Sequence, residues 1–465
     1  MWRRALLCLM ILLMAAGGGR RFRPGGAPGG PPPVPVAQAP PATGSSLKPG
    51  DVEARLRALD PRIAKVTSYG KSNEGRELWV VTLSGAGNPD DKPGVLYVAG
   101  FRGNDGLAIG AALDFARSLV DAAADEKTRA VLDTHTLYIV PLANPDGAEK
   151  GQAYLTRDYA WGYDSKAGDG SDPAAGDSDA GGGTRTSIDL LQNFASGWKP
   201  ELARGASGPF PMSEPESKAL ADFITNHPNL VLGFQLYGTG SNFLEVLSRR
   251  AGGAVAEPDD LTVLAAIGKT FEDGLSTPTA AVKTGTLASD LAPDSEKDNA
   301  FLDWTYQNWQ MYAADVGVKD APPEKLLPLL RDAAQFTPAL TLEDPKVEDL
   351  GDKFYRITVT IKNTGKVPTL SKSGRGQNPP HPVVTWLDLP PGVSLTAGSQ
   401  RRKIDPLEVG KEEATTWVVR GAAGASISVT AWAAKAGKYT RTFALKATAP
   451  TAKEAAKPAG QGVSP

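Results

Sequence analysis

A chain of 465 residues in which 41% are hydrophobic is longer than one ordinary domain and can bury a full core. Its 50 basic and 52 acidic residues, a net charge of -2, make no polybasic surface, so nucleic acid is not an expected partner. The one cysteine, Cys8, lies inside an apolar run and not after a lipobox, so neither a disulfide nor a lipid anchor is expected.

The basic start Met1-Trp2-Arg3-Arg4, the apolar run Ala5 to Ala16 and the small residues Gly17 to Gly19 predict a signal peptide over 1–19. The run is too short to span a bilayer comfortably. Export to a periplasm or cell surface follows, with no stable membrane span after cleavage. The absence of further cysteines points to a bacterial route.

Residues 20–50 are rich in Pro, Gly and Ala and read as a disordered linker. From 51 to about 330, β-rich runs alternate with amphipathic stretches. Strands are predicted at 77–83, 94–99, 137–141 and 230–235, with helices at 108–122 and opening at Ser213. That alternation predicts an α/β domain with helices packed on a buried sheet. Within it, 164–183 is a run of Asp, Gly, Ala and Ser without the terminal Glu of a calcium loop, and reads as a disordered insertion.

The character changes after Pro338. Tyr355 to Ile361 alternates at period two, Asn363-Thr364-Gly365 supplies a turn, and similar runs recur at 415–419, 426–432 and 440–446. An immunoglobulin-like β-sandwich over 338–448 is the expectation, followed by a disordered tail over 449–465.

The segment Ser68-Tyr69-Gly70-Lys71-Ser72-Asn73-Glu74-Gly75-Arg76-Glu77-Leu78 resembles the "S-x-G-x-S-x-x-G-R" opening of zinc carboxypeptidases of the carboxypeptidase A type. Further family-like segments follow in order. They are Leu137 to Pro141 with Asn144-Pro145-Asp146-Gly147, Ser187 to Asn193-Phe194, Gly208 to Glu216, His227-Pro228-Asn229, and Asp303-Trp304-Thr305-Tyr306. The resemblance implies a carboxypeptidase-like mixed sheet flanked by helices over 51–330. Read without the family, Ser213 with Pro215 and Glu216 makes a capped helix start, and Asn144 to Gly147 makes a turn.

The resemblance also implies zinc, held by a His-x-x-Glu motif after one strand and a second His at the end of a later one. In this chain those positions are Arg102, Asp105 and Tyr237. Arginine stays protonated and has no lone pair to donate to a metal. None of the three histidines, His135, His227 and His381, is placed to rescue the site, so no metal and no other cofactor is expected.

Where the family grips a terminal carboxylate with Asn and Arg, the sequence has Leu191 and Gln192. Arg157 lies loosely where a further family arginine would be, and no role is transferred to it. The family's general base falls on Gly317 by ungapped counting, or on Asp315 with a two-residue deletion; both alignments stay open. The replacements predict a triangle in which the Arg102 guanidinium pairs with Asp105 and meets the Tyr237 hydroxyl.

These residues imply an exported carboxypeptidase-like protein without catalytic residues, a pseudopeptidase whose pocket binds a peptide or glycan. Two other readings stay open: an active zinc metallocarboxypeptidase, as family membership implies, and a structural envelope protein. A hydrolase by another route lacks a Gly-x-Ser-x-Gly elbow or a cysteine nucleophile. The sequence carries nothing on oligomeric state.

Overall fold

The structure is a computed structural model that describes residues 47–159, 184–196, 198, 207–238, 245–246, 257–275, 300–374 and 382–446. The predicted signal peptide, most of the predicted linker, the predicted 164–183 insertion and 449–465 tail, and His381 lie outside the described residues.

The centre is a sheet in the order β1 (Ala64–Lys71), β2 (Glu77–Leu83), β4 (Thr136–Val140), β3 (Gly94–Val98), β7 (Leu230–Tyr237), β9 (Tyr312–Gly317), β8 (Glu245–Val246). The middle strands run parallel and both edges are antiparallel. Every residue of β3 and β4 is buried, as expected for parallel strands covered on both faces. β5 (Leu155–Tyr159) and β6 (Thr184–Ile188) form a separate ribbon.

Helix α1 (Pro49–Arg57) precedes the sheet, and α2 (Gly106–Asp121) follows β3. α2 buries Ile109, Ala112, Leu113, Ala116, Leu119 and Val120, an apolar stripe at helical spacing, in the core on one face of the sheet. α3 (Glu126–Thr134) and α4 (Pro145–Lys150) flank β4 in sequence. α5 (Pro215–Asn226) and α7 (Ala300–Trp309) give Leu220, Ile224, Phe301 and Trp304 to the core on the other face. α6 (Pro258–Leu275) and α8 (Pro323–Asp332) pack with α2.

The predicted helix opening at Ser213 starts two residues later. The Ser213 hydroxyl donates to its neighbour Glu214 and accepts from the Asn193 amide, and Glu216 accepts the Asn73 amide N–H at 3.1 Å. Tertiary partners take both side chains that a local capping box would have used.

The C-terminal region is two antiparallel sheets. One has the order β10 (Leu340–Leu342), β12 (Phe354–Asn363), β16 (Glu412–Arg420), β14 (Ser394–Ala397), with β11 (Lys346–Gly351) also on β12. The other runs β15 (Arg401–Ile404), β13 (Val383–Asp388), β17 (Ser426–Ala433), β18 (Gly437–Ala444). β12 alternates buried and outward residues, and Ile357, Val359 and Ile361 share a core with Trp417 and Val429, consistent with a β-sandwich. Among the described residues no helix is long and apolar enough to cross a membrane.

Candidate functional site

Neighbouring strands β3 and β7 lead on in opposite directions along the sheet, β3 to β4 and β7 towards β9. Such a switch point leaves a crevice at the C-terminal ends of the parallel strands, where α/β proteins place their ligands. Arg102, Asp105 and Tyr237 all lie there.

A knot of hydrogen bonds holds the frame. Asp146, 1% exposed, accepts the Ser72 hydroxyl at 2.6 Å, the Arg76 guanidinium at 2.7 Å and the Glu74 amide at 3.0 Å. Asn144 donates to the carbonyls of Phe101 (3.1 Å) and Ala153 (3.2 Å), fixing the loop that carries Arg102. Asn193 holds the 207–214 loop through the Ser207 carbonyl at 2.8 Å and the Glu214 amide at 3.1 Å. In the loop that carries Arg102, Gly103 lies so close to α4 that a Cβ would stand 2.2 Å from the Ala148 nitrogen, so only glycine fits.

Asp105, 4% exposed, caps α2 by accepting the Ala108 amide at 3.1 Å, and its other oxygen accepts the Gly238 amide at 2.7 Å. That second bond ties the end of β7 to the start of α2. Tyr237 is half-buried beside it and aligns with Gly317 across β7 and β9, while Asp315, 8% exposed, aligns with Gln235. Aligned neighbours share a sheet face, so Gln235, Tyr237, Asp315 and Gly317 lie on the face of Ala313, which belongs to the core of Phe101, Leu191 and Phe194.

Around the expected Arg102–Asp105–Tyr237 triangle the structure shows further partners. Asp105 uses both oxygens on backbone amides, and the charge of Arg102 falls on Asp189. Burial raises the Asp189 pKa; the Arg102 charge, the Leu191 amide at 3.0 Å and a hydrogen bond from Gln192 pull it back. Leu191 is buried in the core and has no reach to a ligand carboxylate, while Gln192 serves Asp189. Sequence reading missed Asp189 as a partner, although it opens the very segment in which Leu191 and Gln192 were compared with the clamp.

The histidines are committed elsewhere. His135 meets Thr134 at 2.8 Å and Thr337 at 2.7 Å, and burial lowers its pKa to about 4. His227 places Nδ1 2.7 Å from the Phe223 carbonyl and stacks on the Phe223 ring. Only the backbone of Arg157 is described. Among the described residues no three His, Cys, Asp or Glu side chains are grouped to hold a metal.

The family model described as zinc carboxypeptidase matches residues 52–335, well over half of the chain. The chain belongs to the zinc carboxypeptidase family. A second match, to a domain of unknown function, covers residues 339–444. The chain is 31% identical over 93 residues to a zinc carboxypeptidase of Saccharothrix mutabilis subsp. capreolus, covering 19% of this chain and 21% of that protein. It is 24% identical over 288 residues to mouse carboxypeptidase A2, covering 59% of this chain and 63% of that protein. The chain thus spans less than two thirds of each of these relatives. Among solved structures, bovine thrombin-activatable fibrinolysis inhibitor in complex with tick carboxypeptidase inhibitor aligns over 62% of this chain and 96% of its own, at 16% identity and a TM-score of 0.45.

Family membership implies a zinc site, and the residues that the sequence resemblance puts at its positions do not fit one. A permanently charged guanidinium, a phenol, and a carboxylate whose two oxygens each accept a backbone amide are not the neutral imidazoles and open carboxylate that zinc requires.

Proposed function

We propose that this chain is an exported carboxypeptidase-fold protein that does not catalyse zinc-dependent hydrolysis, and that its pocket at the ends of β3, β7 and β9 binds a peptide or glycan. The observation that carries the reading is the donor set itself: Arg102, Asp105 and Tyr237 occupy the ligand positions, and Asp105 is already engaged by the amides of Ala108 and Gly238. The apolar Leu191, and Gln192 bonded to Asp189, supply no guanidinium at the two clamp positions to grip a terminal carboxylate. The signal-like N-terminus supports export.

The test is elemental analysis of the purified protein together with release of C-terminal residues from blocked peptides. We expect no stoichiometric zinc, no release, and an unfolding midpoint that a chelator does not change. Bound zinc at one per chain with chelator-sensitive release would establish the metallocarboxypeptidase reading instead.

A further inference from the structure

The C-terminal sheets reach the central sheet at the end opposite the pocket, and they do so at two neighbouring strands. The turn between β17 and β18 carries Lys435, 5% exposed, whose amine donates to the carbonyl of Leu230, the first residue of β7. Burial lowers the Lys435 pKa to about 7. Two residues on, Gly437 (φ 87°) lies against the 3₁₀ turn Pro89–Asp91, where a Cβ would stand 2.6 Å from the Asp91 carbonyl oxygen.

The second contact centres on Asp260, 1% exposed, in the first turn of α6. Its carboxylate accepts the hydroxyl of Tyr306 at 2.8 Å and that of Tyr312, the first residue of β9, at 3.3 Å. It also accepts the backbone amides of Lys372 at 3.0 Å and Ser373 at 3.2 Å, both from the C-terminal region. Burial and the Asp260 charge push both phenols up, so they stay protonated and donate. The Ser373 hydroxyl donates to the Tyr306 carbonyl at 3.2 Å, and Val367 is buried within the core that lies beneath α2.

β7 and β9 are parallel neighbours, and their far ends hold Tyr237 and the two base-position residues Asp315 and Gly317. A buried carboxylate is tolerated only when its oxygens are satisfied, and two of the four donors on Asp260 come from outside the carboxypeptidase-like region. We propose that the C-terminal sheets are a strut that holds the starts of β7 and β9, through Lys435 and through Asp260 acting as a positioning residue, and thereby maintains the pocket at the strands' other end. The partner that fits this surface is the chain's own 339–444 region. The proposal is independent of whether the pocket binds a ligand.

Hydrogen exchange of the full-length protein, read by mass spectrometry under native conditions, tests it. Asp260→Asn retains the size of the side chain but makes it a poor acceptor for four donors. We expect exchange over 230–237 and 312–317 to quicken about ten-fold more than over the remote β1 and β2. Tyr312→Phe, which removes one donor and leaves the fold intact, should shift the same two segments in the same direction by less. A uniform quickening of all strands, or a change confined to 258–260 and 372–374, would overturn the proposal. If Asp260→Asn fails to fold, Tyr312→Phe decides by the same two criteria.

Discussion

Two regions of the carboxypeptidase-like domain differ in how their residues meet the family resemblance. Around Asp146 the residues that carry the resemblance are present with their bonds made: Ser72, Arg76 and the Glu74 amide all reach one buried carboxylate. Around Arg102, where the sequence resemblance implies other residue types, Asp105 caps a helix and Asp189 is held by Gln192 and the Arg102 charge. The difference is energetic. Removing one partner of a buried hydrogen-bond hub leaves a desolvated group unsatisfied, so the hub constrains sequence through stability. A metal ligand constrains sequence only through metal chemistry, and the fold tolerates its loss wherever the replacement finds partners.

The largest effect that sharpens this comparison is Asp146→Ala. It should lose about 3 kcal/mol of unfolding free energy, because the Ser72 hydroxyl and the Glu74 amide lose their acceptor and Arg76 keeps only the Glu74 carboxylate. Chemical denaturation measures it, and a loss below about 1 kcal/mol would erase the contrast between the two regions.

Next comes Lys435, buried without a carboxylate. Its folded pKa of about 7 lies below the ordinary 10.5, so between those values the unfolded chain holds the extra proton. Stability should therefore rise as pH rises through that window, by roughly 1 kcal/mol per pH unit, with the full penalty present below it. Denaturation curves of Lys435→Met should flatten that slope.

The smallest effect belongs to the vacated region. Arg102→Leu should cost about 1 kcal/mol at neutral pH by removing the charge that favours ionised Asp189. Because burial already raises the Asp189 pKa, lowering the pH protonates Asp189 and should shrink that deficit. A loss as large as that of Asp146→Ala would mean that Arg102 has become a structural hub in its own right.

The sequence by itself was enough for the fold class. Alternation in Tyr355 to Ile361, the fully apolar run of β3 and the ordered family-like segments depend on residue type and spacing, which are local. So does the identity of Arg102, Asp105 and Tyr237: that a guanidinium cannot ligate zinc follows from the residue alone. Local reading failed where a side chain had a choice of partners. Ser213 has the local pattern of a cap but belongs to the Asn193 network, and Asp105 has the pattern of a partner for Arg102 but also joins two backbone amides 130 residues apart in the chain. Asp260 would pass for an ordinary acidic residue in a helix's first turn. Only the tertiary structure, by bringing Tyr306, Tyr312 and the 372–373 amides to it, decided that this carboxylate joins the two halves of the chain, because burial makes every nearby donor count.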